Sequence, residues 1–184
     1  MSLLRKVFFK LQAFSGIGSY YWLKFRGLNS SSFINLKTTF FSWPHKVRIG
    51  QNTIVEHNVY FKHDGPYSGG ISIDIGKDCF IGNNVEFNIK EFISVGDSTL
   101  IGSGCKFIDH DHGLKLGILT KNQPCPTAPI HVDENVWIGA NVVILKGVHI
   151  GKNSVIGAGA VVNKPVPPNE IWGGVPARKI RNRD

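Results

Sequence analysis

Two histidines and two aspartates alternate in the run Phe107-Ile108-Asp109-His110-Asp111-His112-Gly113, where the longest interruption of an otherwise regular chain begins. Histidine is the side chain whose unperturbed pKa lies nearest neutrality, so it suits the task of taking a proton from a weak nucleophile such as a hydroxyl. His110, which follows Asp109, is the first choice for that base. His112 is the second, either flanking an acceptor or hydrogen-bonding the loop. Taken alone, each is also readable as a surface histidine in a polar turn. The cysteines Cys79, Cys105 and Cys125 are odd in number and lack C-x-x-C spacing, which argues against a disulfide framework or a zinc knuckle. Cys79 and Cys105 read as small interior filler, and Cys125, between Pro124 and Pro126, has no evident partner, so no cysteine nucleophile is expected.

The elements that must hold these groups are hexads, in phase from Ile49 onward. First hexads start at Ile49, Ile75, Val95, Val132 and Ile150; second hexads at Val55, Ile81, Ile101, Ile138 and Ile156; third hexads at Phe61, Phe87, Phe107, Ile144 and Val162. Fifteen hexads in threes make five coils. Each hexad predicts a short strand and a turn, three closing a triangular coil, with coils stacked as parallel strands about 4.8 Å apart. The first place fills the interior. Glycine follows it where the turn is expected to need permissive backbone angles, and Asn or Asp two places later serves the same need. The fifth place takes small residues, among them Thr53, Cys79, Thr99, Cys105, Ser154 and Ala160, as a narrow interior requires.

Three interruptions break the phase: eight extra residues between Phe61 and Ile75, two between Phe87 and Val95, and nineteen between Phe107 and Val132. All fall in third hexads, so all should leave the prism near one edge. The longest is the natural loop to cover a site or reach a neighbouring subunit.

The 184 residues, 42% hydrophobic and 18% charged, suit one globular domain. No apolar run reaches the roughly 18 residues of a membrane span. Arg5, Lys6 and Lys10 interrupt the N-terminal apolar stretch, so it does not read as a secretory signal, and a cytoplasmic place is expected. The net charge of +8 lies wholly in residues 1–55, which carry eight basic side chains and no acidic one. Leu3, Leu4, Val7, Phe8, Leu11 and Phe14 share one helical face. Residues 1–45 are therefore read as a basic amphipathic leader and 46–184 as the hexad domain. Residues 1–26 either cap the first coil, pack in an oligomer, or contact an anionic membrane face. The Ser-Gly-Ile-Gly-Ser run near residue 17 lacks the strand-turn-helix context of a phosphate loop.

Residues 46–184 resemble the left-handed parallel β-helix acyltransferases with hexapeptide repeats, in the maltose and galactoside O-acetyltransferase-like branch. The likeness rests on VWIGANVVILKGVHIGKNSVIGAGAVV, the closing GGVPARKIR and FIDHDHG. It implies an all-β, left-handed prism of about five coils, a homotrimer with sites between subunits, and acetyl-CoA as co-substrate with no metal. It implies His110 as general base, with Asn88, Asp109 and His112 near the acceptor. It also implies Trp137, Gly139, Ala140, Ala158 and Gly159 along the coenzyme A groove, and Lys164, Arg178 and Arg181 at its phosphates. Ala140 departs from a hydroxyl residue found in some relatives, and Asn163 from a threonine. Lys179 and Arg183 read as solvated tail charges.

A serine acetyltransferase would carry a large helical N-terminal domain, and nucleotide-sugar N-acyltransferases with a Rossmann-like leader need more chain. A sugar hydroxyl is thus the expected acceptor, free or lipid-linked, with surface-polysaccharide or lipopolysaccharide precursors first, reached from the cytoplasm or the inner membrane face. No nucleic acid partner is expected. Two other readings use the same prism: a catalytically silent structural trimer, and a zinc enzyme resembling gamma-class carbonic anhydrase, for which His57, His63, His110, His112 and His131 are on hand.

Overall fold

The computed structural model describes residues 38–184 and, ahead of them, residues 21, 25, 27–30 and 32–35; the apolar face from Leu3 to Phe14 lies outside the described residues. The first coil holds Asn29–Ser30 (β1), Phe33–Ile34 (β2) and Phe40–Phe41 (β3). The second holds Val47–Ile49 (β4), Ile54–Val55 (β5) and Tyr60–His63 (β6). The third holds Ile73–Ile75 (β7), Phe80–Ile81 (β8) and Glu86–Ile89 (β9), and the fourth Ile93–Val95 (β10), Leu100–Ile101 (β11) and Lys106–Ile108 (β12). Then come Ile130–Val132 (β13), Trp137–Ile138 (β14) and Val143–Leu145 (β15), followed by His149–Ile150 (β16), Val155–Ile156 (β17) and Val161–Val162 (β18). Glu170–Gly173 (β19) adds to β17 in parallel, and Arg178–Asn182 (β20) folds back antiparallel to close that sheet.

Like strands of successive coils pair in parallel, giving one sheet from β1 to β16, a second from β2 to β20 and a third from β3 to β18. The prism therefore begins one coil upstream of residue 46, inside the segment assigned to the leader. That coil departs from the six-residue phase and has no glycine, its Ser30, Ile34 and Phe41 lying four and seven residues apart, although they pair with Ile49, Val55 and Phe61 and the Phe41 ring stacks on Phe61 at 5.0 Å. The Phe stack continues through Phe87 and Phe107, with centroids 5.1 and 4.8 Å apart, and fills one side of the interior.

Strands cover the sixth and first places of the hexads, and β4, β7, β10 and β13 of the first sheet also the residue before; that residue and the first place point inward and the sixth outward, as in Val47, Arg48 and Ile49. The turn falls on the fourth place, where Asn52, Asp78, Ser98, Asn135 and Asn153 all take φ between 55° and 61°. Asn and Asp tolerate this left-handed region best among residues with a Cβ. Second-place glycines do a different job from the one expected. Gly50, Gly96 and Gly139 are not in that region, and a Cβ on them would come within 2.5, 2.5 and 2.6 Å of backbone nitrogens of Lys77, Glu134 and Ala158 in the next coil. They are glycine because coils stack on them.

Polar residues in the fifth place have a shared function. Thr53 Oγ1 donates to the Gly76 carbonyl at 2.8 Å, Thr99 Oγ1 to Asp133 at 3.1 Å and Ser154 Oγ to Pro167 at 2.8 Å. Cys79 Sγ reaches Gly96 O at 3.3 Å and Cys105 Sγ reaches Gly139 O at 3.0 Å in the same pattern. Each links one coil to the second-place carbonyl of the next. Burial pushes both thiols up, which suits filler rather than nucleophile. The three interruptions leave between third-sheet and first-sheet strands, as 64–72, 90–92 and 109–129, and so share one edge.

Candidate active site

At that edge the chain turns out of β12 with Asp109 pointing inward and wholly buried. Its carboxylate is the acceptor the short interruption needs: Oδ1 takes the Lys90 N–H at 2.8 Å, and Oδ2 takes the N–H groups of Glu91 at 2.7 Å and Phe92 at 3.0 Å. Three backbone donors that the two-residue insertion removes from the ladder are satisfied by one side chain. His110 Nδ1 lies 3.1 Å from the same Oδ1. Written as donor, Nδ1–H leaves the Nε2 lone pair able to accept a proton, with the ring oriented by the carboxylate and the His110 backbone held by its bridge to Thr127. Asp109 thus does not face an acceptor as expected. Both of its oxygens are used within the protein, and it positions His110 and the 90–92 turn.

Asn88 lies on β9 beside Ile108 of β12 and Lys62 of β6, one coil from His110. Its Oδ1 is buried with no hydrogen-bond partner, an uncompensated acceptor close to the edge. His112 is exposed, and its Nδ1 is 3.7 Å from Cys125 Sγ across the base of the long loop. Cys125 therefore has the partner that sequence reading did not find. Gln123 ties the loop to itself, accepting from Lys115 N at 2.8 Å and donating to the carbonyls of Lys115 and Ile118.

The residues assigned to coenzyme A divide. Trp137 stands 55% exposed on the outer face of the second sheet, in register with the exposed Leu100. Ala140, Ala158 and Gly159 form an open corner between the second and third sheets, and a Cβ on Gly159 would meet nothing within 4 Å. An unbranched arm fits against such a surface. Gly139 belongs instead to the stacking set. Lys164 Nζ lies 5.6 Å from the Trp172 ring centroid, and Arg178 donates to the Ala177 carbonyl at 2.8 Å, so neither is ion-paired among the described residues. Arg181 is paired with Asp184 at 2.9 Å and Lys179 with Glu170 at 2.6 Å, the latter holding the Glu170 carboxyl below its ordinary range together with Trp172 Nε1. Arg183 is no loose tail charge: it donates to the carbonyls of Asn153 at 2.8 Å and Asn135 at 3.4 Å.

The histidines of the zinc reading go separate ways. His57 receives from Asn35 Nδ2 at 2.9 Å, His131 bonds Ser94 Oγ at 2.9 Å, and His63 ends β6 beside the first interruption. Among the described residues no three His, Cys, Asp or Glu side chains converge into a metal-ligating group. Also among the described residues, no helix is long and apolar enough to cross a membrane.

Comparison with known proteins bears on this arrangement. The model of the bacterial transferase hexapeptide (six repeats) matches residues 129–164, and that of the hexapeptide repeat of succinyl-transferase matches 68–88. The chain is 39% identical over 133 residues to galactoside O-acetyltransferase of Escherichia coli (strain K12), covering 72% of this chain and 62% of that protein. It is 32% identical over 139 residues to the galactoside O-acetyltransferase of Lactococcus lactis, covering 74% and 64%. The chain thus spans less than two thirds of the length of either curated relative. A crystal structure of a hexapeptide-repeat containing acetyltransferase from Vibrio cholerae, complexed with acetyl coenzyme A, superposes with a TM-score of 0.59 at 30% identity, over 85% of this chain and 70% of that one. AntD, an N-acyltransferase from Bacillus cereus, superposes with a TM-score of 0.74 at 21% identity over 89% of each chain, a likeness of fold alone. The stacked coils are accordingly those of a left-handed parallel β-helix.

Proposed function

This chain belongs to the hexapeptide-repeat acetyltransferases of the galactoside O-acetyltransferase type, and from that membership we propose that it moves an acetyl group from acetyl-CoA to a hydroxyl of a sugar acceptor. The observation that carries the proposal is the Asp109–His110 pair, which fixes one ring nitrogen and leaves the other free at the edge where all three insertions emerge. His110 Nε2 takes the proton of the acceptor hydroxyl as its oxygen bonds to the acetyl carbon. Collapse of the tetrahedral intermediate breaks the C–S bond, and the proton passes from His110 to the leaving thiolate. A backbone N–H stabilises the oxyanion. No covalent acyl-enzyme is needed. Asn88 and His112 flank the acceptor, the open corner at Ala140, Ala158 and Gly159 takes the pantetheine arm, and Lys164 and Arg178 meet the phosphates. Three chains assemble with sites between them.

For the acceptor we favour a surface-polysaccharide or lipopolysaccharide precursor at the inner face of the membrane. The basic, aromatic residues 1–26 supply the contact, and Tyr21 and Phe25, which are exposed, support it. Binding to acidic liposomes by the full chain, lost on deleting 1–26, is the expected result; unchanged binding removes the membrane contact. The central test is calorimetric titration with acetyl-CoA, with CoA in parallel. Binding near one site per chain, weakened by Lys164→Ala or Arg178→Ala and not by His110→Ala, is expected. Absence of binding by folded protein overturns the reading.

A further inference from the structure

The first interruption builds a pocket that the acetyl-transfer reading does not use. Three residues of one short segment, Trp43, His45 and Lys46, pin the loop 64–72. Trp43 Nε1 donates to Gly65 O at 3.2 Å, His45 Nε2 lies 3.0 Å from Ser68 O, and Lys46 Nζ donates to Gly69 O at 3.2 Å and to Ser72 Oγ at 3.4 Å. The Tyr67 ring packs on Trp43 and His45, with centroids at 5.4 and 4.8 Å. Under the loop lies a space of about 430 Å³ lined by Lys46, His63, Asp64, Ser72, Lys90 and Glu91 among others.

Lys46 is only 4% exposed, yet no carboxylate lies within 4.0 Å of its ammonium. Both acceptors it has are neutral, and one proton of three is unassigned. A lysine is rarely buried without an acid, because the lost hydration of its charge must be replaced by something of opposite sign. His63 is 8% exposed and lines the same space, and its buried Nδ1 has no hydrogen-bond partner among the described residues. Of the other charged groups, Lys90 is 3.8 Å from Asp64, which accounts for that pair, and Glu91 is an exposed side chain. The uncompensated charge in the buried part of the pocket is therefore positive. The Lys90 and Glu91 backbone also binds Asp109, whose Oδ1 holds His110, so the pocket wall and the base share one carboxylate.

We propose that this pocket is a subsite for an anionic group of the acceptor, a carboxylate or phosphate ester carried by the sugar, with Lys46 as its counter-ion and the Ser68–Ser72 loop and His63 around it. This rests on the acetyl-transfer reading and narrows its acceptor to acidic sugars. A neutral glycoside would leave the Lys46 charge unmet.

The test titrates glucuronate, glucose 6-phosphate and glucose into the labelled full chain while the His63 ring and the Gly69 and Ser72 amides are followed by NMR. Saturable shifts of these three with at least one acidic sugar and none with glucose are expected, and which acid works identifies carboxylate or phosphate. Lys46→Met should weaken that binding about tenfold or more, as loss of a charge-assisted bond predicts, and Lys46→Arg should restore part of it. Ser72→Ala, which keeps the buried charge, serves if Lys46→Met does not fold, and should weaken binding by a smaller factor. No saturable shift with either acid, shifts with glucose of equal size, or undiminished binding in the folded Lys46→Met protein each overturn the subsite. Acetyl-CoA calorimetry on the same samples separates the two levels. Acid binding without acetyl-CoA binding sinks the transferase reading, whereas acetyl-CoA binding without acid binding sinks only the subsite.

Discussion

Asp109 and His110, adjacent in sequence, meet at 3.1 Å through Oδ1 and Nδ1, while the same carboxylate closes the 90–92 turn with three backbone bonds. One side chain thus sets both the His110 ring and the shape of the edge beside it. Asp109→Asn places an amide N–H₂ where a donor already stands. Hydrogen bonds to charged groups are worth about 1.5–3 kcal/mol, so thermal unfolding should show a loss of that order. Steady-state kinetics should show kcat falling further than KM rises, because the imidazole loses its fixed tautomer.

Replacing the base itself should separate chemistry from structure. His110 makes one side-chain hydrogen bond, to the Asp109 carboxylate, and its side chain is 9% exposed, so His110→Ala should still fold, with a stability loss of about 1.5–3 kcal/mol. General-base catalysis contributes roughly 10²–10⁴-fold, and kcat should drop by about that factor with acetyl-CoA affinity unchanged. A variant that keeps a tenth or more of wild-type kcat would remove His110 from the role.

The architecture was legible because a hexad is a physical unit. The fourth-place Asn and Asp mark the left-handed turn, and small fifth-place residues mark the narrow interior. What escaped reading involves partners far along the chain. Nothing in Asp109 itself announces that its ligands are amides 17 to 19 residues earlier. The first coil escaped because it breaks the six-residue phase: Ser30, Ile34 and Phe41, in register with Ile49, Val55 and Phe61, lie four and seven residues apart, and no glycine follows them. Lys46 escaped because lysine is ordinarily a surface residue, and only the loop it pins, 23 residues on, buries it. Arg183, read as tail charge, binds carbonyls 30 and 48 residues back. Gly139, expected along the donor groove, stands where the next coil stacks, because its partner Ala158 is 19 residues on.

Two glycines of the C-terminal coils should answer differently to a single methyl. At Gly139 the added Cβ lies 2.6 Å from Ala158 N and 2.9 Å from its Cα, backbone atoms that cannot step aside, so Gly139→Ala should cost about 1–3 kcal/mol in thermal or urea unfolding. At Gly159 nothing stands within 4 Å, but φ is +71°, so Gly159→Ala carries only a backbone penalty of roughly 1–2 kcal/mol. The second methyl projects onto the open corner, and it should weaken acetyl-CoA binding where the first does so only through lost stability.

The three thiols should react in two classes. Burial holds Cys79 and Cys105 above their ordinary pKa and their sulfurs are bonded to carbonyls of the next coil, whereas Cys125 is half-buried in the long loop. A thiol reagent should label one cysteine per native chain and three after denaturation. Because no step of the proposed transfer runs through sulfur, Cys125→Ala should retain kcat within a factor of about two, the scale of context effects away from a reacting group. A large loss would mean that the His112–Cys125 contact shapes the site.

The stability of the first interruption should depend on pH through His63. Burial lowers its pKa below the ordinary 6.5, the Lys46 charge and His45 push the same way, and Asp109 and Asp64 oppose them. A histidine with a depressed folded-state pKa binds fewer protons folded than unfolded between the two values, so stability rises with pH across that window. The contribution of His63 is then complete above about pH 6.5 and is lost as pH falls through that value toward the lower folded-state pKa. His63→Gln removes the proton uptake. Its unfolding temperature, compared with wild type at pH 7.5 and at pH 5, should move in favour of the variant on acidification. An NMR titration of the wild-type ring should place its midpoint below 6.5, and Lys46→Met, by deleting the second-largest cause, should bring it part of the way back. A midpoint at or above 6.5 in the wild type would show that the two aspartates outweigh burial and the lysine.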